Sequence, residues 1–299
     1  MESSEVERAV SAAIEVGDSL NLPAGGAVVL HNSNKLALRL TPCDVVARVT
    51  YVEHQAQVEV ERAQRFAEAG CPVGVLAPSV DPLVYPCGGF AITLWTYYDP
   101  AEFEVTPAAY GQALAQLHAG MRTVEMASPR YTDRIADAER VADDPALSPE
   151  LDDEERALLG TTLRSLRRSI EAHRAPEQLL HGEPHPGNVL GTQSGPLFID
   201  FETSCHGPVE FDLAYVPEAV SEHYPGVNQA LLQDCRHLVL AMVAAWRWRL
   251  GDEFPHRRRW GQQFLRTLLA GPPWPTLDTL SKQFDDPENA PMTSPEPRR

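Results

Sequence analysis

The chain has 299 residues, of which 43% are hydrophobic, and its formal net charge at pH 7 is −17. This length is sufficient for a large core in one or two domains. Nucleic acids and anionic membrane surfaces are themselves negative, so a chain of this acidity excludes both as general partners. Solubility or attraction to cations would explain the charge.

The sequence carries no signal for a membrane or for secretion. No run approaches the roughly 18 apolar residues of a membrane span. The first residues, MESSEVERAV, are acidic and unlike a signal peptide. The five cysteines are scattered and lack a C-x-x-C pair, which favours free thiols over a disulfide framework. We therefore expect a cytoplasmic protein, and the sequence does not indicate its oligomeric state.

The first third of the chain predicts strands and one helix. Apolar runs at 27–30, 36–40 and 45–49 are separated by the turn sequences HNSN and TPCD. A helix is predicted at about 53–69, and Gly70 follows its end. The sequences VGVLAP and FAITLWTYY predict further strands, with PCGG as the turn before the second.

Beyond residue 100 the pattern is helical. Thr106 is a good N-cap and Pro107 a good first helical residue. Further helices are predicted at about 151–173 and 228–250. The polar, proline-rich end of the chain from about 283 is typical of disorder.

This order of elements predicts an α+β fold with two lobes and a cleft between them. The N-lobe, a sheet plus one helix that binds the nucleotide, is expected at 1–95, and a connector at 96–105. A helical C-lobe with the catalytic and acceptor sites is expected at 106–282, followed by a disordered tail at 283–299.

Polar side chains are concentrated in LLHGEPHPGNVLGTQSGPLFIDFE, residues 179–202. Two short apolar runs flank a loop there, so the loop and the acid after the second run are expected to lie together. Asn188 and Asp200 offer the hard oxygen ligands that suit Mg²⁺. With Glu183 as a proton acceptor five residues before Asn188, the spacing is that of phosphoryl transfer in protein kinases.

The same residues admit other interpretations. His181 and His185 are four residues apart, as in a zinc pair on a helix, but the glycine and prolines around them exclude a helix. Asn188 as a residue that only stabilises the loop, and Asp200 as a helix or turn cap, remain open.

The chained sequence HGEPHPGNVL…FIDFE…GPVEFDLA resembles the catalytic loop and metal-binding segment of the aminoglycoside phosphotransferase family, which includes choline kinase-like enzymes. The family pattern is H-G-D-x-x-x-x-N followed by I-D-F or I-D-W. VVARV, QVEVERAQRFAEAGCPV, AITLWTYY and ALAQLH are similar to its third strand, the helix after it, the hinge strand and the first large-lobe helix. The resemblance implies a protein-kinase-like fold and ATP-dependent phosphorylation of a small molecule's hydroxyl.

The resemblance also implies roles for individual residues. Glu183 takes the place of the catalytic base, and Asn188 and Asp200 take the Mg²⁺ positions. His181 would hold the loop by hydrogen bonds, and Asp212 would brace it. The residues expected to contact ATP are Ser33, Asn34, Arg48, Glu59, Leu94, Trp95, Thr96 and Tyr97.

Within that set, Arg48 and Glu59 are expected to form a pair. On the predicted helix Glu59 shares a face with Ala63 and Phe66, whereas Glu61 shares one with polar residues. Glu59 is therefore expected to point inward, where it would hold Arg48 for the phosphates.

Two positions depart from the family pattern. Arg48 stands in place of lysine, and it can still pair a carboxylate or phosphate. Glu183 stands in place of aspartate, and its extra methylene displaces the carboxylate by about 1 Å, on a scale that can cost on the order of 100-fold in rate. An alternative is therefore a nucleotide-binding pseudokinase with a regulatory role. Glu202 would either reach a second Mg²⁺ or face solvent.

The acceptor is the least defined partner. The acidic stretch at 137–157 falls in the helical part of the chain, where related enzymes hold their acceptors. It would suit a cationic acceptor such as an aminoglycoside or a choline-like amine, or it is a solvated acidic face. A sugar or amino-alcohol metabolite fits the sequence equally well.

Overall fold

The computed structural model describes residues 1–33, 35–101 and 103–285. Its contacts divide the chain into two compact units. The sheet unit comprises Met1–Ala127 and Pro186–Ser204; the helical unit comprises Ser128–His185 and the chain from Cys205. The lobe boundaries expected from the sequence stay a prediction. The expected disordered tail lies, from residue 286 onward, outside the described residues.

The helices are α1 Ser3–Ser19, α2 Glu53–Glu68, α3 Pro107–Met121, α4 Tyr131–Asp143, α5 Asp153–Ala172, α6 Val209–Leu213, α7 Glu218–Ser221, α8 Gln229–Trp246, α9 Arg257–Leu269 and α10 Leu277–Asp285. The strands are β1 Ala24–Asn32, β2 Leu36–Pro42, β3 Val45–Thr50, β4 Tyr85–Cys87, β5 Phe90–Thr96, β6 Gln178–Leu180, β7 Val189–Thr192, β8 Gly195–Phe198 and β9 Cys205–Gly207.

An antiparallel sheet forms the centre of the sheet unit, with the strand order β1-β2-β3-β5-β4. Alternate residues of β2 and β3 are buried, as a sheet with one face on a core requires. That core is completed by α1, whose buried face is made of small residues: Ala9, Ala12, Ala13, Val16 and Gly17. Their spacing of three and four predicts a helix, although α1 is not among the elements predicted above.

The β7–β8 hairpin also belongs to the sheet unit. Both backbone polar groups of Phe198 are hydrogen-bonded to the segment after α2. Its N–H donates to Pro72 O at 2.9 Å, and its O accepts from Gly74 N at 2.8 Å. Three residues further along the chain, Phe201 packs edge-to-face on Phe66 of α2 with ring centroids 5.2 Å apart. The hairpin is thereby fixed to α2 and to the segment that follows it.

The core of the helical unit lies among α4, α5, α8 and α9. Two of these helices begin at a side chain that accepts backbone N–H groups, Asp152 for α5 and Asn228 for α8. These two helices agree with the ones predicted at about 151–173 and 228–250, and Thr106 caps α3 as predicted. In the ranges that the structure describes, no helix is both long and apolar enough to cross a membrane.

Candidate active site

Asn188 and Asp200 flank the open end of the β7–β8 hairpin. Val189 pairs with Phe198, and Ile199 N donates to Asn188 O at 3.0 Å, so the register brings the two segments together. Asp200 has φ of 70° and ψ of 71°. A non-glycine residue in this left-handed region is uncommon and strained. Such strain at a carboxylate indicates a functional site.

Five charged side chains of the sheet unit meet at one place, and we call them the charge cluster: Lys35, Arg48, Glu59, Asp200 and Glu202. Arg48 is ion-paired with Glu59, and its Nη2 lies 3.4 Å from Asp200 Oδ2. Glu59 is buried, in keeping with the inward face expected for it, whereas Glu61 is exposed. The structure thus brings Arg48, Glu59 and Asp200 together.

Lys35 is the member of the charge cluster that the sequence reasoning missed. Its Nζ lies 2.9 Å from each of Glu59 Oε2, Asp200 Oδ1 and Glu202 Oε2. The contact with Glu202 is an ion pair without hydrogen-bond geometry. One signal was available in the sequence: the chain has only two lysines, and this one stands in the turn before β2.

Both cations of the charge cluster are held in the charged state. Burial works against the charge of Lys35, but the Glu59, Asp200 and Glu202 carboxylates outweigh it and raise its pKa. The same balance raises the pKa of Arg48: burial opposes its charge, and Glu59, Asp200 and Glu202 favour it. Lys35 and Arg48 therefore both carry a full positive charge at neutral pH.

The oxygen donors at this site fit a magnesium ion in type. Asn188 offers an amide and Asp200 a carboxylate, the hard ligands that Mg²⁺ prefers. Within residues 1–33, 35–101 and 103–285, no group of three or more His, Cys, Asp or Glu side chains is arranged to hold a metal on its own. Protein sites for Mg²⁺ commonly use one or two carboxylates together with substrate phosphates, so this donor set fits a metal bound with a nucleotide.

Arg62 holds the chain segment that follows Asp200. Its Nη1 donates to Phe201 O at 2.6 Å and to Glu202 O at 2.8 Å, and its side chain is buried on α2. Nothing in the sequence distinguishes Arg62 from the other arginines, because its acceptors are backbone carbonyls 139 and 140 residues away.

The residues of the hinge strand that are predicted to contact ATP form hydrogen bonds within the sheet unit. Leu94 O accepts from Ala77 N at 3.0 Å, and Thr96 N and Tyr97 N donate to Val75 O and Asp44 O. Trp95 Nε1 donates to Thr93 Oγ1 at 2.8 Å. Ser33 N closes the turn before β2 by donating to Lys35 O at 3.2 Å. Asn34 lies outside the described residues, and the contacts of this whole set with ATP stay a prediction.

In the helical unit, Asp212 of α6 holds the loop that carries Glu183. Its two carboxylate oxygens accept from the backbone N–H groups of His181 at 2.9 Å and Gly182 at 2.8 Å. Gly182 has φ of 93°, a conformation that glycine adopts without strain. His181 is fully buried, and its Nδ1 accepts from Glu183 N at 3.4 Å. The structure brings the two predicted supporting residues, His181 and Asp212, to this loop.

Glu183 is engaged by Arg134, an arginine of α4 that the sequence reasoning did not select. Arg134 is ion-paired with Glu183 and donates to Gly182 O at 2.9 Å. Burial opposes the charge of Arg134, but the Tyr215 oxygen and the Glu183 carboxylate outweigh it and raise the pKa of the guanidinium. Glu183 therefore faces a permanent positive charge.

Four carboxylates of the acidic stretch at 137–157 are paired with arginines of the helical unit. Asp137 pairs with Arg140 and Arg249, Glu139 with Arg167, Asp143 with Arg164, and Glu150 with Arg257 and Arg258. Asp152 and Glu155 form a capping box at the start of α5. The stretch thus combines ion pairs and caps with exposed carboxylates such as Asp153 and Glu154.

The chain resembles solved structures along most of its length. A choline/ethanolamine kinase family protein from Mesorhizobium loti superposes with a TM-score of 0.66, at 18% identity, over 86% of this chain and 94% of that one. A choline kinase from Streptococcus pneumoniae gives 0.64, at 15% identity, over 86% and 98%. A spectinomycin phosphotransferase, solved with ADP and spectinomycin, gives 0.62, at 13% identity, over 86% and 97%.

At these identities the likeness establishes the fold, and the predicted protein-kinase-like α+β fold is confirmed. A comparison with curated protein sequences finds no match. A sequence model of the phosphotransferase enzyme family, APH, matches residues 30–250, which include the charge cluster, the Asp212-held loop and Arg134. The chain belongs to the phosphotransferase enzyme family.

Proposed function

We propose that the protein is an ATP- and Mg²⁺-dependent kinase that transfers the γ-phosphate of ATP to a hydroxyl group of a small molecule. The observation that carries the proposal is the charge cluster, which includes the strained Asp200. Two cations and three carboxylates are gathered there from four separate segments of the sheet unit. A purely structural role would not require a left-handed aspartate among them.

In this proposal the sheet unit binds the triphosphate. Arg48, held by Glu59, orients the phosphate oxygens, and a guanidinium suits them because it donates bidentately. Lys35 supplies a second positive charge from the turn before β2. Asn188 and Asp200 would hold Mg²⁺, which when bound neutralises the charge that develops on the phosphate oxygens.

Glu183 of the helical unit is proposed as the group that accepts the acceptor's proton. As the acceptor's oxygen forms its bond to the γ-phosphorus, the bond from that phosphorus to the bridging oxygen of ADP breaks. The hydroxyl proton passes to the Glu183 carboxylate. His181 and Asp212 contribute by fixing the backbone on either side of Gly182.

The acceptor is proposed to be an aminoglycoside-like compound or another amine or sugar metabolite that carries a hydroxyl. The family supports a small-molecule acceptor in general. Because most of the carboxylates at 137–157 are paired with arginines or form a capping box, they give little reason to prefer a polycation over a neutral sugar or amino alcohol. We propose a cytoplasmic location, where ATP is abundant.

Asp200→Ala tests the assignment. We expect loss of ATP turnover without loss of fold, measured as ADP release with Mg-ATP and a panel containing spectinomycin, kanamycin, choline and simple sugars. Thermal shift against the same panel identifies the acceptor, because a bound ligand raises the unfolding temperature. Asp44→Ala is the matched control, since Asp44 is an exposed carboxylate of the same unit. Unchanged turnover in Asp200→Ala would refute the assignment.

A second candidate, a nucleotide-binding pseudokinase, is favoured by one observation: Glu183 is already ion-paired with Arg134. In that case wild type and Glu183→Gln would bind ATP equally and neither would release ADP with any acceptor. Turnover in wild type that Glu183→Gln abolishes would exclude the pseudokinase.

A further inference from the structure

We propose that Arg134 is a positioning residue that fixes the Glu183 carboxylate, and the loop around it, in the geometry for accepting the acceptor's proton. This inference rests on the proposed function, in which Glu183 receives that proton. It assigns to α4, an element outside the catalytic loop, the task of holding the reacting group.

The first support is the way in which Arg134 itself is held. Its side chain is 14% exposed, and the guanidinium carbon lies 5.9 Å, 5.7 Å and 5.4 Å from the ring centroids of Phe211, Tyr215 and Trp246. A guanidinium attracted to three aromatic rings has few alternative positions. Its conformational freedom is therefore already lost before any acceptor binds.

The second support is the pair of acceptors that Arg134 serves. Nη1 donates to Gly182 O at 2.9 Å, and Nη2 pairs with the Glu183 carboxylate. One planar group thus spans the backbone of one residue and the side chain of the next, which the rigid fork of arginine allows and a single ammonium does not. The orientation of the Glu183 side chain is tied to the orientation of its own loop.

The third support is a contact that fixes one of the three rings. Trp246 Nε1 donates to Asp137 Oδ2 at 3.0 Å, and Asp137 lies one turn beyond Arg134 on α4. Asp137 is also paired with Arg249. α4 therefore supplies both the arginine and the anchor for the ring beside it.

Together these contacts account for glutamate at a position where the family has aspartate. A side chain one methylene longer needs a second point of attachment to keep its carboxylate in a single place, and Arg134 provides it. Displacement of a reacting group by about 1 Å costs on the order of 100-fold in rate. Arg134 is expected to contribute an effect of that size to kcat.

The decisive experiment compares Arg134→Gln and Arg134→Lys with wild type in the full chain, using the acceptor that gives the highest turnover in the panel. We expect kcat to fall about 100-fold in Arg134→Gln while the KM for ATP stays unchanged. Arg134→Lys restores part of the rate, and added guanidinium ion restores part of it in Arg134→Gln. Arg164→Gln, an exposed arginine of the helical unit that pairs with Asp143 of α4, is the matched control and keeps full kcat.

A merely structural Arg134 gives another pattern: a lower unfolding temperature, an unchanged kcat per folded molecule and no rescue by guanidinium ion. That pattern overturns the inference. An inactive wild type overturns the proposed function instead. Hydrogen exchange then still decides the inference, because Arg134→Gln must speed exchange in a peptide spanning 179–188 and Arg164→Gln must not. Equal exchange in both variants overturns it.

Discussion

The charge cluster of the sheet unit and the Glu183 loop of the helical unit are built in different ways. In the cluster, Lys35 and Arg48 meet three carboxylates through side-chain contacts alone. In the loop, Asp212 and Arg134 bind backbone groups of consecutive residues. Side-chain ion pairs can exchange partners when a charged ligand arrives, whereas a loop bound through its backbone keeps its shape. We therefore expect changes to the two cations of the cluster to alter nucleotide affinity and changes around the loop to alter rate.

The largest effect is expected from Asp212→Ala. Both backbone N–H groups that donate to Asp212 are buried. Hydrogen bonds to a charged group contribute about 1.5–3 kcal/mol each. We expect unfolding in urea to require about 3 kcal/mol less free energy, together with loss of turnover in the molecules that remain folded. Asp212→Asn keeps one acceptor oxygen and should lose about half as much. Near-wild-type stability in Asp212→Ala would show that the loop is held by something else.

Lys35→Met tests the expectation that the charge cluster sets nucleotide affinity. The ammonium faces Asp200 and Glu202, so its loss should weaken ATP binding about tenfold, a change of about 1.4 kcal/mol. Adenosine, which has no phosphates, should bind as before. Calorimetric titration with ATP, ADP and adenosine measures this directly.

Lys282→Met is the matched control, because Lys282 is the other lysine of the chain and is exposed on α10. Equal losses of affinity for ATP and adenosine in Lys35→Met would mean that Lys35 only maintains the local structure. Arg48 would then be the one cation of the charge cluster proposed to bind the triphosphate.

A smaller effect is expected from Tyr215→Phe. The Tyr215 hydroxyl is buried and has no hydrogen-bond partner among the described residues, and burial raises the pKa of this phenol well above its usual range. Removing an unsatisfied buried hydroxyl should stabilise the protein by about 1 kcal/mol, seen as a higher unfolding temperature. The ring remains, so kcat should not change, whereas Tyr215→Leu removes the ring beside Arg134 and should lower kcat.

The sequence was sufficient for the features that depend on neighbours in the chain. Thr106, the helices now seen as α5 and α8, and the inward face of Glu59 all follow from local spacing. The loop that carries Glu183 was recognisable as a candidate site because its polar residues lie within one short segment.

Lys35, Arg62 and Arg134 were missed for the converse reason. Arg134 meets Glu183 across 49 residues, and Lys35 meets Asp200 across 165. The chain has 25 basic residues, and spacing alone does not distinguish these three from the others. Partners this distant become visible only when the chain is folded.

The smallest expected signal comes from the cysteines, which report on the rigidity of each unit. Cys71 of the sheet unit and Cys205 of the helical unit are both buried, and burial raises the pKa of the Cys71 thiol to about 11. At pH 8 a thiol reagent should therefore modify Cys43 and Cys87, which are half-buried, and spare the others.

Cys205 pairs with Leu180 directly before the Glu183 loop, so it is the sensitive position. If Arg134 holds that loop, Arg134→Gln should make Cys205 reactive while Cys71 stays protected, as read by mass spectrometry of the labelled peptides. Labelling of both thiols would instead indicate general loosening, and labelling of neither would show that Asp212 alone holds the loop. Because the two cysteines lie in different units of one molecule, each serves as the internal reference for the other, and the comparison between the units is measured in a single sample.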